Sequence, residues 1–337
     1  MLSNLKLFSW RDILGLGLSV GLLWLTWQQS GIAEKGLVFS SNDGWWLVCA
    51  MVAFLFSLGV HVMRAHLLWR GKAEATHEAI AKSLFIGNFF NVVLPGNLGE
   101  AVRAWHFHRT AHVGFWKSVA SIITEKFVDA QLYALALILL FGMWYVAWRE
   151  PVFWVLGIVW CGIQGVNLVL LLLQVKPRWE KKLWSFVPGK KVRNSLFKTY
   201  RYLFFHLRHL NDGNRLWLFA VLGYVLLSLN VVQYYFVLQA AGLGSAMNNL
   251  SICFLIAMVM VVINVTPSAP GSAGVVHYGI FATLTLAAKL LDLPQQGASF
   301  AMAGVYLHFS YFIPETIIGA WLVWHERRVL ITFNADK

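Results

Sequence analysis

The chain has 337 residues, of which 58% are hydrophobic and only 12% are charged. Soluble domains carry about 25% charged residues, so this composition excludes an ordinary soluble protein and indicates an integral membrane protein. The net charge of +12 comes from basic residues in loops, which favours contact with an anionic leaflet over nucleic-acid binding. We predict one all-α polytopic domain over residues 1–337, with roughly six to eight transmembrane helices.

The amino-terminal part contains two apolar stretches of the length that crosses a bilayer. We predict the first span over 13–27 and the second over 45–62. The second span is followed by Arg64, Arg70 and Lys72, a basic flank that is typical of the cytoplasmic side.

The next two apolar stretches, 80–93 and 98–108, are too short and too polar for ordinary spans. Pro95 and Gly96 break the helix between them, and both outer flanks are basic. Because both ends then lie on the same side of the membrane, we predict a re-entrant helical hairpin over 80–108.

Long apolar helices alternate with one basic segment in the rest of the chain. Helices are predicted over 118–148, 152–173, 216–240 and 298–324. The segment 175–215 mixes lysine and arginine with aromatic residues, a pattern typical of an amphipathic helix on the cytoplasmic leaflet. The positive-inside rule then places both termini in the cytoplasm, and we predict the inner membrane as the location.

A second break separates two apolar stretches within 252–291, which is either a second re-entrant hairpin or two full spans. Like the first break, it begins with Asn-Val and ends with Pro-Gly-x-x-Gly, here Pro270 to Gly274. Two broken helices of opposite orientation are typical of inverted-repeat transporters, whose site lies where the broken ends meet. Plain helix kinks are the alternative.

Three short motifs carry a resemblance to a known family. They are Pro95-Gly96-x-x-Gly99-Glu100-x-x-Arg103, Glu125-Lys126-x-x-Asp129 and Pro270-Gly271-x-x-Gly274. With them the chain resembles the lysylphosphatidylglycerol synthase transmembrane region family, whose members are also described as flippase-like. The resemblance implies a lipid flippase or transporter, and we expect the membrane domain only, without the aminoacyltransferase domain of the synthases.

The chain departs from the pattern of that family at four positions. Asn97, Lys126, His277 and His308 stand where the family commonly has a basic residue, arginine, glutamate and arginine, respectively. Arginine binds two phosphate oxygens through its planar guanidinium group, whereas lysine and histidine do not. The lipid headgroup that the relatives bind is therefore not assumed for this chain.

A lipid phosphate inside the bilayer needs a matching positive charge, and Arg103 is the main candidate to supply it. The alternative is that Arg103 pairs with Glu100 or a distant carboxylate. Arg64 is either a second substrate contact or a snorkelling anchor at the end of its span. The predicted substrate-binding residues are Arg64, Asn91, Pro95, Gly96, Gly99, Arg103, Lys126, Pro270, Gly271 and Gly274.

Glu125 and Asp129 are four residues apart, so both project from one face of a helix. Both carboxylates must point away from lipid and into the protein. There they either neutralise Arg103 and Lys126 or exchange protons or ions during transport. The predicted charge-coupling residues are Glu100, Glu125, Asp129, His277 and His308, and a purely structural histidine is the alternative at position 277.

The leading functional hypothesis is an ATP-independent lipid flippase. It moves an anionic phospholipid or a polyprenyl-phosphate lipid and contacts the anionic inner leaflet; proton coupling is left open. No nucleophile or metal-ligand motif was found, so we expect no enzymatic activity, cofactor, metal or nucleic-acid partner. Two alternatives are a lipid-modifying enzyme that uses Glu125 or Asp129 as a base, and a non-catalytic scaffold that binds lipid or proteins through 175–215.

Overall fold

The computed structural model describes residues 10–32, 43–69, 75–94, 98–143, 188–211, 215–244, 250–266 and 268–326, together with a few residues between 154 and 165. These residues form helices and connecting turns, and no strand occurs among them. The chain divides into two compact units. Unit 1 consists of Met1–Val60, Ala81–Arg103 and Val225–Lys337, and unit 2 consists of His61–Ile80 and Ala104–Tyr224. The expectation of one domain over 1–337 stays a prediction.

The α-helices follow one another closely along the described ranges. In chain order they are α1 (Trp10–Ser30), α2 (Asp43–Leu67), α3 (His77–Val93), α4 (Gly99–Thr110), α5 (Phe115–Met143), α6 (Lys190–Asn211), α7 (Arg215–Ala240), α8 (Leu250–Val265), α9 (Val275–Leu290) and α10 (Gly297–His325).

Three described segments are long and apolar enough to cross a membrane. They are Gly44–Leu67, Arg215–Ala240 and Pro270–Leu290, and a shorter apolar helix covers Leu250–Ile263. The prediction of an all-α membrane protein is therefore confirmed. Of the helix predicted over 152–173, a few residues between 154 and 165 are described, and these are helical. The first part of the basic segment 175–215 lies outside the described residues.

In unit 1, α3 and α4 form an antiparallel hairpin that depends on two glycines. A Cβ atom at Gly99 would collide with the carbonyl oxygen of Gly87, and one at Gly87 would lie 2.6 Å from Cβ of Arg103. The helices approach this closely because neither glycine has a side chain. With 17 and 12 residues, both helices are shorter than the ~20 residues of an ordinary span. The re-entrant position of this hairpin in the bilayer stays a prediction.

The second break, between α8 and α9, is also part of unit 1. It contains a short 3₁₀ helix over Pro270–Ser272, and the φ angles of Gly271 (68°) and Gly274 (82°) are in the left-handed region that favours glycine. α9 then begins with a cap, because the N–H of Gly274 donates to Nδ1 of His277 at 3.2 Å. α9 packs against α1, α8 and α10. This structure leaves open whether 252–291 is a re-entrant hairpin or two spans.

Unit 2 has an aromatic and aliphatic core to which α6 contributes. Leu68, Trp69, Phe107, Leu210 and Phe219 are buried in it. α6 packs along α5 and is amphipathic. Its buried side includes Leu203 and Leu210, and its exposed basic residues are Lys190, Lys198, Arg201 and Arg208.

Candidate functional site

The second break lies beside the end of the first hairpin helix. A Cβ atom at Gly271 would be 3.7 Å from the carbonyl oxygen of Val92 and 3.2 Å from the ring of Phe312. Val92 is in the last turn of α3, shortly before the first Pro-Gly motif. Pro95 and Gly96 themselves lie outside the described residues. The last turn of α3 and the second break are therefore neighbours within unit 1.

Arg103 is buried in the first hairpin, where its side chain starts against Gly87 and is 6% exposed. One guanidinium nitrogen, Nη1, lies 3.7 Å from Oε2 of Glu100, one helical turn earlier. This distance is an ion pair but is too long for a hydrogen bond. It matches the alternative in which Arg103 pairs with Glu100, while contact between Arg103 and substrate stays a prediction.

Two asparagines of α3 contribute polar groups to the same unit. Asn91 is half-buried beside Gly99, and its Oδ1 atom is buried without a hydrogen-bond partner among the described residues. Asn88 donates from Nδ2 to Oε1 of Glu315 in α10, at 2.9 Å. Sequence reasoning singled out neither Asn88 nor Glu315. The available signal was a lone carboxylate inside a long apolar helix, which is rare unless it has a function.

His277 and His308 come together between α9 and α10. Their rings stack with centroids 5.0 Å apart and planes inclined by 27°. Nδ1 of His308 lies 3.2 Å from the hydroxyl of Tyr311. Since Nδ1 of His277 already accepts the capping N–H of Gly274, the structural alternative for His277 has a direct contact in its favour. The charge-coupling role predicted for both histidines remains untested.

Arg64 in unit 2 is held by Asp129. Its two terminal nitrogens face the two carboxylate oxygens, with Nη2 donating to Oδ2 at 3.0 Å and Nη1 donating to Oδ1. The guanidinium carbon lies 4.9 Å from the ring centroid of Phe219. Because Arg64 is only 1% exposed, its guanidinium packs against protein groups of unit 2, which disfavours the snorkelling alternative. A substrate contact for Arg64 stays a prediction.

Glu125 is the second acid of this cluster, and its partner is His61 on α2. Nε2 of His61 lies 2.9 Å from Oε2 of Glu125, whose side chain is 2% exposed. The sequence pointed to Arg103 and Lys126 as the bases for these acids, whereas the structure gives His61 and Arg64. Lys126 is exposed, because adjacent residues of a helix project about 100° apart.

The predicted site residues thus separate into two sets. Unit 2 holds Arg64, Glu125, Lys126 and Asp129. Unit 1 holds Asn91, Gly99, Glu100, Arg103, Pro270, Gly271, Gly274, His277 and His308. In unit 1, a buried cation, amide groups and the second break lie on neighbouring elements, a combination that can bind an anion.

Comparison with known families matches residues 13–319 to the model of the lysylphosphatidylglycerol synthase TM region. The chain belongs to this family. The family predicted from the three motifs is therefore confirmed, and the protein is a membrane protein of a lipid-related family. Comparisons with curated proteins and with solved structures gave no match.

Proposed function

We propose that this protein is an ATP-independent transporter that moves an anionic phospholipid or a lipid-linked phosphate between the leaflets of the inner membrane. The observation that carries the proposal is the contact between the second break and the last turn of α3, at Gly271 and Val92. Broken helices that meet in this way are the usual substrate site of inverted-repeat transporters.

The polar groups around this contact suit a phosphate. Arg103 comes from the same hairpin and offers a planar fork for two phosphate oxygens. Asn91 contributes a half-buried amide whose oxygen has no hydrogen-bond partner among the described residues. In this proposal the phosphate takes the place of Glu100 beside the guanidinium of Arg103, from which the carboxylate is separated by 3.7 Å.

The exposed side of α6 supports contact with an anionic inner leaflet. Lys198, Arg201 and Arg208 are exposed together with Tyr202 and Phe205, so cations and aromatic rings are available on the same surface. In this arrangement α6 and both termini lie on the cytoplasmic side.

The test is leaflet exchange of labelled phosphatidylglycerol in vesicles that contain the purified full-length protein. We expect Arg103→Gln to slow exchange by about 10- to 100-fold, because a charge-assisted hydrogen bond is worth ~1.5–3 kcal/mol. Arg109→Gln, a change of the same type on the same helix, serves as the matched control and should exchange lipid at nearly the wild-type rate.

Three outcomes separate this proposal from the alternatives. Equal rates for Arg103→Gln and the wild type would remove Arg103 from the site. A chemically new lipid in the vesicles would favour a lipid-modifying enzyme. Binding of anionic vesicles without any exchange by the wild type would favour a scaffold that acts through α6.

A further inference from the structure

Glu315 lies inside the last long helix, ten residues before its end at His325. His308, Tyr311 and Glu315 follow at intervals of three and four residues, so they share one face of α10. Pro314 interrupts the helical hydrogen bonding beside them, because proline has no N–H to donate to the carbonyl group of Ser310.

Glu315 is half-buried and differs from the other acids of the described helices in the charge of its partner. Its hydrogen bond in the described structure comes from the neutral amide of Asn88, at 2.9 Å. Glu125, Asp129 and Glu326 face His61, Arg64 and Lys82, respectively. No cation pairs with Glu315 among the described residues. An ionised carboxylate in such a place lacks a counter-charge, whereas binding one proton makes it neutral.

A series of exchangeable groups continues from Glu315 along α10. Tyr311 is one turn away and interacts electrostatically with Glu315. Its hydroxyl lies 3.2 Å from Nδ1 of His308, whose ring stacks on His277 beside the second break. Side chains that can accept and donate protons therefore lie along one face of α10 between the carboxyl group and the second break.

We propose that Glu315 binds and releases the proton that couples lipid transport to a proton gradient. This inference rests on the proposed function and names the coupling ion of the same site. In each cycle the carboxylate takes up one proton from one side of the membrane, becomes a neutral acid, and later releases that proton to the other side. Lipid movement depends on this change of charge because Tyr311, His308 and His277 lie between Glu315 and the second break.

Within the described ranges, the elements around Glu315 bring no unmatched charge that would compete with the proton. α3 presents Asn88, and its Lys82 is already paired with Glu326 at 2.7 Å. α10 presents Tyr311 and His308, and α9 presents His277. From α2, Phe54 packs against Tyr311. From α7, Gln233 donates a hydrogen bond to Ser310 at 2.7 Å. Residues 14–30 of α1 contain no ionisable side chain.

Glu125 and Asp129 are less suitable for this role. Each already has a basic partner, and protonation of Asp129 would leave the buried guanidinium of Arg64 without its counter-charge. Leaving a buried charge unpaired is costly, so Asp129 favours a constant charge. We therefore place the proton site at Glu315 and not at Asp129, while the charge-coupling role of Glu125 stays a prediction.

The test measures the distribution of labelled phosphatidylglycerol between leaflets under an imposed pH gradient, with the membrane potential clamped. With one proton per lipid, a gradient of one pH unit supports an accumulation of up to about tenfold in one leaflet for the wild type. Glu315→Gln, which has nearly the shape of the protonated acid, should still exchange lipid but reach an equal distribution. Glu326→Gln, just past the end of the same helix, should accumulate lipid like the wild type.

The outcomes distinguish this inference from the proposed function. Accumulation by Glu315→Gln at the wild-type level would overturn the proton role of Glu315. Equal leaflet distribution by the wild type under every gradient would overturn proton coupling and leave lipid transport standing. Absence of lipid movement by the wild type would overturn both.

Infrared difference spectroscopy between acidic and neutral pH gives a second readout that needs no transport. We expect a carbonyl band of a protonated carboxyl group that Glu315→Gln removes and Glu326→Gln retains. Glu315→Asp keeps a carboxyl group, so it should retain a titrating band and separates loss of the proton site from loss of the fold. If the band of Glu315→Gln equals that of the wild type, Glu315 is not the proton site.

Discussion

Glu125 and Asp129 in unit 2 each face a basic side chain, whereas Glu315 in unit 1 faces the neutral amide of Asn88. All three carboxyl groups belong to long helices of a membrane protein. The difference between them is whether the side chain packed against the carboxyl group is basic or neutral. A carboxylate that is matched by a buried arginine is a fixed charge on which the fold depends.

The contrast teaches that a buried acid in a membrane helix has two separate uses. In unit 2 the acids link α2 to α5 through the His61–Glu125 contact and the Arg64–Asp129 ion pair, and the loss of one partner alone leaves the other unmatched. In unit 1 the partner of Glu315 is the neutral amide of Asn88, so the charge of Glu315 can change without leaving a cation unmatched. The first use predicts large losses of stability on mutation, and the second predicts small ones.

The largest expected effect is that of Asp129→Ala. It leaves the guanidinium of Arg64, which is 1% exposed, without a counter-charge, and removing one partner of a buried pair costs about 3–5 kcal/mol. The measurement is the free energy of unfolding of the detergent-solubilised protein.

The double variant Arg64→Met with Asp129→Leu is the control for this prediction. It removes both charges and should recover most of the lost stability, since apolar residues of similar volume often replace a buried pair without loss. A double variant as unstable as Asp129→Ala would show that packing, and not charge, holds this part of unit 2.

A smaller effect is expected from acid, through His206 on α6, a helix that is not among the apolar candidates for spanning. Burial lowers the pKa of His206 from 6.5 to about 4, although its ring also donates to the carbonyl oxygen of Lys117. The unfolded chain binds the proton first, so this contribution is complete above pH 6.5 and is lost as the pH falls towards 4. The loss amounts to about 3 kcal/mol.

Unfolding measured between pH 7 and pH 4 tests this, with His206→Gln as the matched variant that can still donate a hydrogen bond. We expect a flatter pH dependence in His206→Gln. An unchanged slope would mean that protonation of His206 does not set the acid sensitivity of unit 2.

The next effect in size concerns the packing around Arg64. A Cβ atom at Gly223 would lie 3.2 Å from Nη1 of Arg64 and would collide with Leu132. Overpacking of this kind costs about 1–3 kcal/mol, so Gly223→Ala should lower the unfolding free energy by that amount. Gly17→Ala, where no atom lies within 4 Å of the new Cβ, is the control and should be nearly neutral. If both variants behave alike, the close contact with Arg64 does not restrict unit 2.

The smallest effect is expected for Glu315→Gln in unit 1. The side-chain oxygen of glutamine can still accept the hydrogen bond from Asn88, so stability should change by less than about 1 kcal/mol. The same unfolding assay checks this. A loss as large as that of Asp129→Ala would mean that Glu315 has a fixed counter-charge, and the contrast between the two units would disappear.

Some features of the fold followed from local pattern. The apolar stretch 45–62 became part of α2, and the second glycine motif marks a real interruption because proline and glycine act on their own backbone. The spacing of Glu125 and Asp129 placed both on one inward face. Glu315 was not predicted although a lone acid in an apolar run is a visible signal, because it lies outside the three family motifs.

The sequence by itself determined that this is an all-α membrane protein of the lysylphosphatidylglycerol synthase TM region family, and which residues are charged inside it. Only the tertiary structure decided which charge meets which partner. Helical periodicity fixes the direction of a side chain within its own helix, but it carries no information about the helix that packs opposite. His61 with Glu125, Arg64 with Asp129, and Asn88 with Glu315 are all pairs between distant segments, so packing alone brought them together.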